Sequence, residues 1–391
     1  MKYNFDEIIE RKNTDSLKYD YAEEMHKPAD LLPLWVADMD FRIPPEATAE
    51  IQKSVDHAIY GYTITKDDYL QVVQSWFYNN FDFQTQKEWL VKTPGIVFAL
   101  ATAVKAFTAE NDAILIQKPV YYPFDSVIVN NNRKLINNPL QYKNGKYYIN
   151  FEDFEQKIAE NKVKMFILCS PHNPVSRVWT TDELYNMGKI CQKYDCIVVS
   201  DEIHCDIVFE GFKHTVFSNV STDFLQNCVI CTAPSKTFNL AGLQVSNIFI
   251  PNERLRKSFI QEIAKTGYSQ HNTLGLTACK AVYRHGKEWR NQLMQYLQSN
   301  VDFIQNFLSQ NLPQIKMVQP EGTYLIWLDF TALEFDHQQI DEILLQKAKI
   351  WLSSGVTFGK EGKGFQRINI ACPQQQLQTA FERLQKSLTL F

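Results

Sequence analysis

The sequence has little excess charge, no long apolar run and no obvious metal-binding motif. The formal net charge of the 391 residues is −4, and charged residues make up 21% of them. No basic surface for nucleic acid or an anionic membrane is therefore expected. No run reaches the roughly 18 apolar residues that a membrane-spanning helix needs, and residues 1–7 contain no apolar signal core. We expect a cytoplasmic protein that binds neither nucleic acid nor a membrane.

The cysteines also exclude a simple metal or redox motif. Only two of the eight, Cys228 and Cys231, form a C-x-x-C pair. They fall within an expected strand, where residues three apart point to opposite faces of the sheet. We therefore expect buried, reduced thiols and no metal site.

From residue 112 onwards, short apolar runs alternate with helical patterns. The runs lie at 113–116, 165–169, 196–200, 228–231 and 247–250. Continuous apolar runs of this length are typical of parallel strands that are covered on both faces. The pattern predicts an α/β fold, a three-layer sandwich with a mainly parallel central sheet. One of its helices is expected to begin with a capping box, TTDE, at 180–183.

A second unit is expected after a long amphipathic helix that Pro313 ends. Strand patterns at 323–330 and 365–370 are mixed there with helical patterns, which indicates a smaller α+β domain. The predicted division has three parts. These are an N-terminal arm that also contributes to the small domain (1–45), a large ligand-binding domain (46–285) and the small C-terminal domain (286–391).

Polar and aromatic residues follow several of the predicted strands. Tyr121, Asn173, Asp201 and Lys236 each come after an apolar run. Right-handed crossovers bring such loops to one edge of a parallel sheet, where ligands bind. Gly95 precedes an Ala-rich helix, whose free N–H groups and positive dipole end suit a phosphate. These positions are therefore expected to surround one site.

Pyridoxal phosphate needs this combination of groups. A lysine amine forms a Schiff base with its aldehyde. A carboxylate keeps the ring nitrogen protonated, so that the ring accepts electrons. An amide donates to the phenolic oxygen, an aromatic side chain stacks on the ring, and helix N–H groups hold the phosphate. A single lysine would prove little, because most lysines are solvated surface charges.

Three ordered motifs resemble the class I/II aminotransferase superfamily of fold type I. They are SPHNP at 170–174, DEIH at 201–204 and SKTFN at 235–239, and the resemblance extends over essentially the whole chain. In detail the sequence is most similar to the bacterial cystathionine β-lyase (C–S lyase) branch. The segments that carry this closer similarity are WVADMDF at 35–41, YGY at 60–62, PVYYPF at 119–124, SPHNPVSRVW at 170–179, DEIHCD at 201–206 and NLAGLQ at 239–244.

The resemblance implies a role for each residue of the site. For the cofactor, pyridoxal 5′-phosphate, the implied residues are Lys236 as Schiff-base lysine and proton shuttle, Asp201 at the pyridine nitrogen, Asn173 at the phenolic oxygen, Tyr121 stacked on the ring, Gly95, Ile96 and Val97 around the phosphate, and His204 and Ser235 as further contacts. For the substrate they are Arg367 as a bidentate clamp on the α-carboxylate, with Asn173 and Ala37 beside it. Without the resemblance, a structural salt bridge would be the favoured interpretation of Arg367.

The resemblance also implies a homodimer. Tyr62 is expected to reach the cofactor phosphate of the neighbouring subunit, so that the dimer is necessary for catalysis. From the sequence alone, packing would be the favoured role of this tyrosine.

Three positions depart from the ordinary aminotransferase pattern. His204 stands where a tyrosine is common, Ala233 where a serine binds the phosphate, and Gln244 where an arginine binds it. The phosphate site is therefore less cationic, and Ser235 and Thr232 are the candidates for the missing hydroxyl. The first and third departures fit the lyase branch.

The implied reaction is α,β-elimination of L-cystathionine or a related cysteine S-conjugate to pyruvate, ammonia and a thiol. One alternative is an aminotransferase, which would use the same residues. Another is a regulatory binding protein that keeps the cofactor site as a relic. The complete set of Lys236, Asp201, Asn173, Tyr121 and Arg367 argues against the relic.

Overall fold

The computed structural model describes residues 2–389. The strands in this range are β1 (Leu32–Pro33), β2 (Leu90–Thr93), β3 (Ala113–Ile116), β4 (Lys134–Asn137), β5 (Gln141–Lys143), β6 (Lys146–Tyr148), β7 (Met165–Cys169), β8 (Ile197–Asp201), β9 (Cys228–Thr232), β10 (Ser246–Phe249), β11 (Lys316–Met317), β12 (Leu325–Asp329), β13 (Ile350–Trp351), β14 (Ser353–Ser354) and β15 (Phe365–Asn369). The α-helices are α1 (Pro45–His57), α2 (Asp67–Phe81), α3 (Ile96–Phe107), α4 (Pro123–Val129), α5 (Phe151–Asn161), α6 (Thr181–Lys193), α7 (Glu253–Lys265), α8 (Thr273–His285), α9 (Lys287–Asn311), α10 (His337–Glu342) and α11 (Gln374–Leu388).

The main sheet has seven strands in the order β2-β10-β9-β8-β7-β3-β4. Strand β10 runs antiparallel to both neighbours, whereas the pairs from β9 to β4 are all parallel. Both faces are covered: in β3, Leu115 packs into one hydrophobic core and Ile114 into another. The expected α/β fold with a mainly parallel central sheet is confirmed, and its continuous apolar runs reflect burial on both sides.

A smaller antiparallel sheet has the order β11-β12-β15-β14. The 25-residue helix α9 leads into it, and α11 follows it. The N-terminal segment joins this region, because β1 pairs in parallel with β13. The arrangement agrees with the α+β pattern of the sequence, while the domain boundaries themselves stay a prediction.

Local sequence signals account for several element ends. The predicted capping box is present at the start of α6: the Glu183 backbone N–H donates to Thr180 Oγ1 at 3.2 Å, and the Thr180 N–H donates to Glu183 Oε2 at 2.8 Å. The two cysteines of the C-x-x-C pair lie in β9 and pack into different cores, Cys228 on one face and Cys231 on the other. Among the described residues, no helix combines the length and apolar character needed to cross a bilayer.

The register of the parallel strands aligns the loops that carry the polar residues. Asp201, the last residue of β8, lies opposite Cys169 at the end of β7 and opposite Cys231 near the end of β9. Asn173 and Lys236 each follow these strand ends by four residues in sequence. The three side chains are therefore brought to the same edge of the sheet.

Candidate active site

One cavity of about 360 Å³ lies at the carboxyl edge of the central sheet. Most of the residues that the sequence singled out line it: Ala37, Gly95, Ile96, Val97, Tyr121, Asn173, Asp201, His204, Ser235 and Lys236. Arg367 lines an adjoining cavity of about 480 Å³, which shares Ala37, Tyr121 and Lys236 with the first. The structure thus brings every predicted site residue but Tyr62 to two connected cavities.

Asp201 is a buried carboxyl that faces the cavity with few protein partners. Its Oδ1 accepts a hydrogen bond from the Ile203 backbone N–H at 3.1 Å. Burial raises the pKa of Asp201 to about 7, although that hydrogen bond and the Lys236 charge lower it in part. A cationic ligand group beside this carboxyl would restore its ionised form, because an opposite charge nearby favours the charged state.

Lys236 is half-buried between the two cavities. Its Nζ donates a hydrogen bond to the Ala37 carbonyl oxygen at 2.7 Å. Burial and then the positive charge of Arg367 lower the pKa of Lys236 to about 8. Desolvation disfavours the ammonium form, so this amine is a stronger nucleophile near neutral pH than a surface lysine.

Arg367 is a buried guanidinium whose partners are uncharged. Nη1 donates to Asn173 Oδ1 at 3.0 Å, and Nη2 donates to the Trp35 carbonyl oxygen at 2.8 Å and to Ser353 Oγ at 3.1 Å. Its Nε is buried without a hydrogen-bond partner in the described chain. Burial lowers the pKa of Arg367 to about 10, so the group remains charged and lacks only an anion.

Asn173 is oriented by this arginine. Because its side-chain oxygen accepts from Arg367, the NH₂ group is the part of the amide left to donate. Asn173 is itself buried and lines the first cavity. The Arg367–Asn173 hydrogen bond therefore joins a residue of the second cavity to a residue of the first.

The first turn of α3 forms another wall of the first cavity. Gly95 is the N-cap residue and has no capping side chain, so the N–H groups at the start of the helix are not used by a cap. A Cβ atom built on Gly95 would meet no heavy atom within 4 Å, which leaves space for an anion at this helix end.

The two hydroxyl candidates differ in position. Thr232 Oγ1 donates to the Asn247 carbonyl oxygen at 2.7 Å inside the sheet. Ser235, in contrast, lines the cavity. Ser235 is the hydroxyl that can reach a ligand there, and Gln244 lines the same cavity at the position where an arginine is common.

Tyr121 and His204 complete the cavity wall. Burial raises the pKa of Tyr121 to about 12, so its hydroxyl stays protonated and its ring offers a flat neutral surface. Burial lowers the pKa of His204 well below its usual value, so this side chain is neutral. Its Nδ1 is buried with no hydrogen-bond partner among residues 2–389.

Tyr62 lies apart from both cavities and is 93% exposed. It lies on the short segment between α1 and α2, beside residues 270–274. Within one chain, therefore, the structure does not bring this residue to the site.

Three further residues hold the arm that carries Ala37, and the sequence reasoning did not assign them. Asn239 Nδ2 donates to the Met39 and Phe41 carbonyl oxygens, at 2.9 and 3.2 Å. Asn369 Nδ2 donates to the carbonyl oxygens on either side of Ala37, both at 2.6 Å. Tyr324 Oη donates to the Ala37 carbonyl oxygen at 2.9 Å. Asn239 lies in a quoted motif, but nothing in the sequence indicated what its side chain binds.

Together these groups can hold a flat ligand with a cation at one end and an anion at the other. The cationic end would face Asp201, the anionic end would face the start of α3, and Lys236 would be within the same cavity. A second small anion would find Arg367 in the adjoining cavity. Such an arrangement suits chemistry at an amino acid rather than binding alone.

Comparisons with known proteins identify the family. The family model described as "Aminotransferase class I and II" matches residues 29–384. The chain belongs to this family. A curated relative, cystathionine beta-lyase PatB of Bacillus subtilis (strain 168), is 40% identical over 386 residues, which cover 99% of this chain and 100% of PatB.

Two solved structures are similar to this chain over its whole length. Cystalysin from Treponema denticola, which contains a pyridoxal 5′-phosphate cofactor, is similar with a TM-score of 0.96 at 39% identity, covering 100% of this chain and 99% of cystalysin. The PLP-bound C–S lyase from Staphylococcus hominis in complex with L-cycloserine gives 0.93 at 31% identity, with 99% of both chains covered.

Proposed function

We propose that this chain is a pyridoxal 5′-phosphate-dependent carbon–sulfur β-lyase. It cleaves L-cystathionine or related cysteine S-conjugates to pyruvate, ammonia and a thiol. The observation that carries the proposal is the position of Lys236 between two cavities, with Asp201 in one and Arg367 in the other. The similarity to PatB and to the C–S lyase of Staphylococcus hominis supports a lyase within the family.

The residues of the first cavity fit the cofactor. The buried Asp201 carboxyl suits a protonated ring nitrogen, and the NH₂ of Asn173 suits the phenolic oxygen. The uncapped start of α3 and Ser235 suit the phosphate, and the neutral ring of Tyr121 suits stacking. When bound, pyridoxal phosphate supplies an aldehyde that condenses with amines and a ring that accepts electrons from Cα.

Lys236 is the group that holds and moves a proton in the proposed reaction. Its lowered pKa, about 8, keeps a useful fraction of Nζ unprotonated at neutral pH. Nζ takes the proton from Cα of the amino acid. The electron pair left at Cα forms the Cα=Cβ bond while the pair of the Cβ–S bond leaves with sulfur, which departs as a thiolate. The remaining three-carbon fragment is hydrolysed to pyruvate and ammonia.

Arg367 binds and orients the substrate carboxylate. Nη1 and Nη2 are held by Asn173, Trp35 and Ser353, so the fork is fixed before an anion arrives. Its Nε has no protein partner in the described chain, and a carboxylate would supply one. Fixing the carboxylate sets the direction of the Cα–H bond towards Lys236.

We also propose a homodimer in which Tyr62 serves the site of the neighbouring subunit. The support is an exposed apolar segment around this residue: Ile59 is 70%, Tyr62 93% and Ile64 84% exposed. Clustered exposed apolar side chains are typical of interaction surfaces.

We further propose a cytoplasmic location, which the eight unpaired cysteines support. The seven-stranded and four-stranded sheets support a large domain at 46–285 and a small domain at 286–391, which the arm joins.

The test is a substrate panel with purified holoenzyme. Mixing with L-cystathionine is expected to release pyruvate and free thiol in equal amounts, and Lys236→Ala should abolish both. Lys257→Ala, a change at an exposed lysine on α7, should leave the rate unchanged. Amino-group exchange with a 2-oxo acid, without pyruvate from any cysteine conjugate, would overturn the proposal in favour of an aminotransferase.

A further inference from the structure

The carbonyl oxygen of Ala37 accepts hydrogen bonds from two side chains. Lys236 Nζ donates to it at 2.7 Å, and Tyr324 Oη donates to it at 2.9 Å. Ala37 and Lys236 both line the two connected cavities. A carbonyl oxygen has two lone pairs, so these two donors fill its capacity. Only one of the two donors, Lys236, has a part in the reaction proposed above.

Tyr324 is held firmly at this carbonyl. It is 0% exposed and immediately precedes β12. Its ring meets the ring of His204 edge-on, with the centroids 5.9 Å apart. Burial raises the pKa of Tyr324 far above its usual value, so the hydroxyl stays protonated at neutral pH. Tyr324 is therefore a permanent donor to the Ala37 oxygen.

The backbone around Ala37 is fixed separately. Asn369 Nδ2 donates to the carbonyl oxygens on either side of Ala37, both at 2.6 Å. The Ala37 oxygen itself has only Tyr324 and Lys236 as donors in the described chain. In the proposed reaction Nζ becomes free once a substrate amine has taken its place on the cofactor. Tyr324 is then the side chain that still defines where the free amine finds its acceptor.

The carbonyl suits a lysine that must act as a base. A neutral primary amine has two N–H donors and one lone pair. When one N–H donates to the Ala37 oxygen, the lone pair of Nζ is directed away from the arm and towards the cavities. A carbonyl carries no net charge, so it holds the amine without the strong bias towards ammonium that a carboxylate would impose. Because Tyr324 occupies one lone pair of the oxygen, one position remains for Nζ.

We propose that Tyr324 is a positioning residue for proton transfer at Cα. Its hydroxyl orients the Ala37 carbonyl, and that carbonyl holds the free amine of Lys236 with its lone pair towards the substrate. Without the hydroxyl both lone pairs of the oxygen are open to Nζ, which then spends less time in the productive position. The inference rests on the proposed role of Lys236 as the base and adds a residue that acts through it.

Tyr324→Phe tests the proposal, because it keeps the ring and removes the donor. L-Alanine has no leaving group at Cβ, so exchange of its Cα proton in D₂O by the holoenzyme reports proton transfer alone. The exchange rate, followed by NMR, should fall about three- to tenfold, the range for one neutral hydrogen bond. The matched control is Tyr69→Phe, the same change at a buried tyrosine whose Oη donates to Asn247 Oδ1 at 2.8 Å. It should leave the exchange rate unchanged.

A binding measurement distinguishes positioning from general damage to the site. In a Lys236→Ala background the amine is absent, so adding Tyr324→Phe should change Kd for L-alanine by less than about twofold. Absorbance titration of the holoenzyme measures this Kd. A weaker Kd there, matching the loss of exchange in the single variant, would show that Tyr324 has only a structural role and would overturn the proposal.

The carbonyl can also be observed in the apoenzyme, without any reaction. Alanine precedes aspartate at two places in the chain, 29–30 and 37–38. Labelling with carbonyl-¹³C alanine and ¹⁵N aspartate therefore selects two carbonyl signals in a correlation spectrum. Tyr324→Phe should shift the Ala37 carbonyl signal upfield, because the oxygen loses a donor, and should leave the Ala29 signal in place as an internal control.

The outcomes separate this inference from the lyase function. An Ala37 signal that does not move, or one that moves while the exchange rate stays at the wild-type value, would overturn the role of Tyr324. Slower exchange with an unchanged Kd in the Lys236→Ala background supports it. If exchange behaves in this way but no cysteine conjugate yields pyruvate, the lyase function fails and the role of Tyr324 stands.

Discussion

Arg367 donates a hydrogen bond to the side-chain oxygen of Asn173 at 3.0 Å, although 194 residues separate the two in sequence. The contact joins β15 of the small sheet to the loop that follows β7 of the central sheet. We propose that Arg367 binds the substrate and Asn173 the cofactor. The hydrogen bond therefore makes the orientation of each side chain depend on the other.

Arg367→Lys should therefore weaken substrate binding strongly. Lysine keeps the charge but cannot hold the fork that Asn173, Trp35 and Ser353 fix. We expect KM for L-cystathionine to rise by about 10- to 100-fold, the range for loss of charge-assisted hydrogen bonds. Steady-state pyruvate formation measures this. Arg383→Lys, at an exposed position on α11, is the control. An unchanged KM with a lower kcat would contradict the carboxylate role.

Capture of pyridoxal phosphate by the apoenzyme should depend on pH through Lys236. Its pKa is lowered to about 8, first by burial and then by Arg367. The reactive neutral amine therefore dominates above pH 8 and decreases as the pH falls below it. The capture rate should rise about tenfold per pH unit well below 8 and level off above. Stopped-flow absorbance measures this profile between about pH 6.5 and 9.5, which is about one and a half pH units on either side of the Lys236 pKa.

The same profile in Arg367→Met provides the internal check on that prediction. Removing a nearby positive charge favours protonation of Lys236, so the midpoint should move to higher pH. A wild-type midpoint near the ordinary lysine value, or the same midpoint in both proteins, would show that Lys236 is not perturbed in this way.

Arg177→Met should destabilise the fold. Arg177 is buried, with Nε at 2.8 Å from Glu321 Oε2, Nη2 at 2.8 Å from Glu183 Oε2, and Nη1 bonded to the Tyr147 carbonyl oxygen. Removing the arginine leaves the buried Glu321 carboxylate with Lys146, at 2.7 Å, as its remaining cation. The cost should therefore lie near the lower end of the range for an uncompensated buried charge, about 3–5 kcal/mol. Urea unfolding followed by fluorescence gives the free energy. Breaking the exposed Lys257–Glu253 pair by Lys257→Met should change it by less than about 1 kcal/mol.

Tyr62 tests the proposed dimer by complementation. Lys236→Ala and Tyr62→Ala should each be inactive or nearly so. When the two are unfolded and refolded together, a mixed dimer has both substitutions in one site and an intact second site. With random association, about one quarter of wild-type activity should return. The two proteins mixed without refolding serve as the control. No recovery after refolding, despite mixed dimers, would show that Tyr62 acts within its own chain.

Much of the site follows from strand periodicity. The sequence predicts that Asp201 and Lys236 lie at one sheet edge, because each follows a continuous apolar run and such runs form neighbouring parallel strands. The capping box of Thr180 and Glu183 was equally readable, because its signal is local. In these cases the residues that determine the structure are close together in the sequence.

The contacts that cross the fold could not be read in this way. Asn369 lies more than 300 residues from the arm it holds, and no local pattern couples the two. The direction of the Thr232 hydroxyl depends on its pairing with β10, which left Ser235 and Thr232 equivalent in the sequence. The low pKa of Lys236 is a consequence of burial and of Arg367, neither of which its neighbours in sequence reveal.

The oxygen that accepts from Lys236 belongs to the peptide backbone at Ala37. No side-chain substitution at position 37 can delete that atom, so a point change there leaves the acceptor chemically intact. Changes to this hydrogen bond must come from residues that hold the arm, namely Asn239, Asn369 and Tyr324. The acceptor of the amine is therefore held in place by side chains that come from three distant parts of the chain.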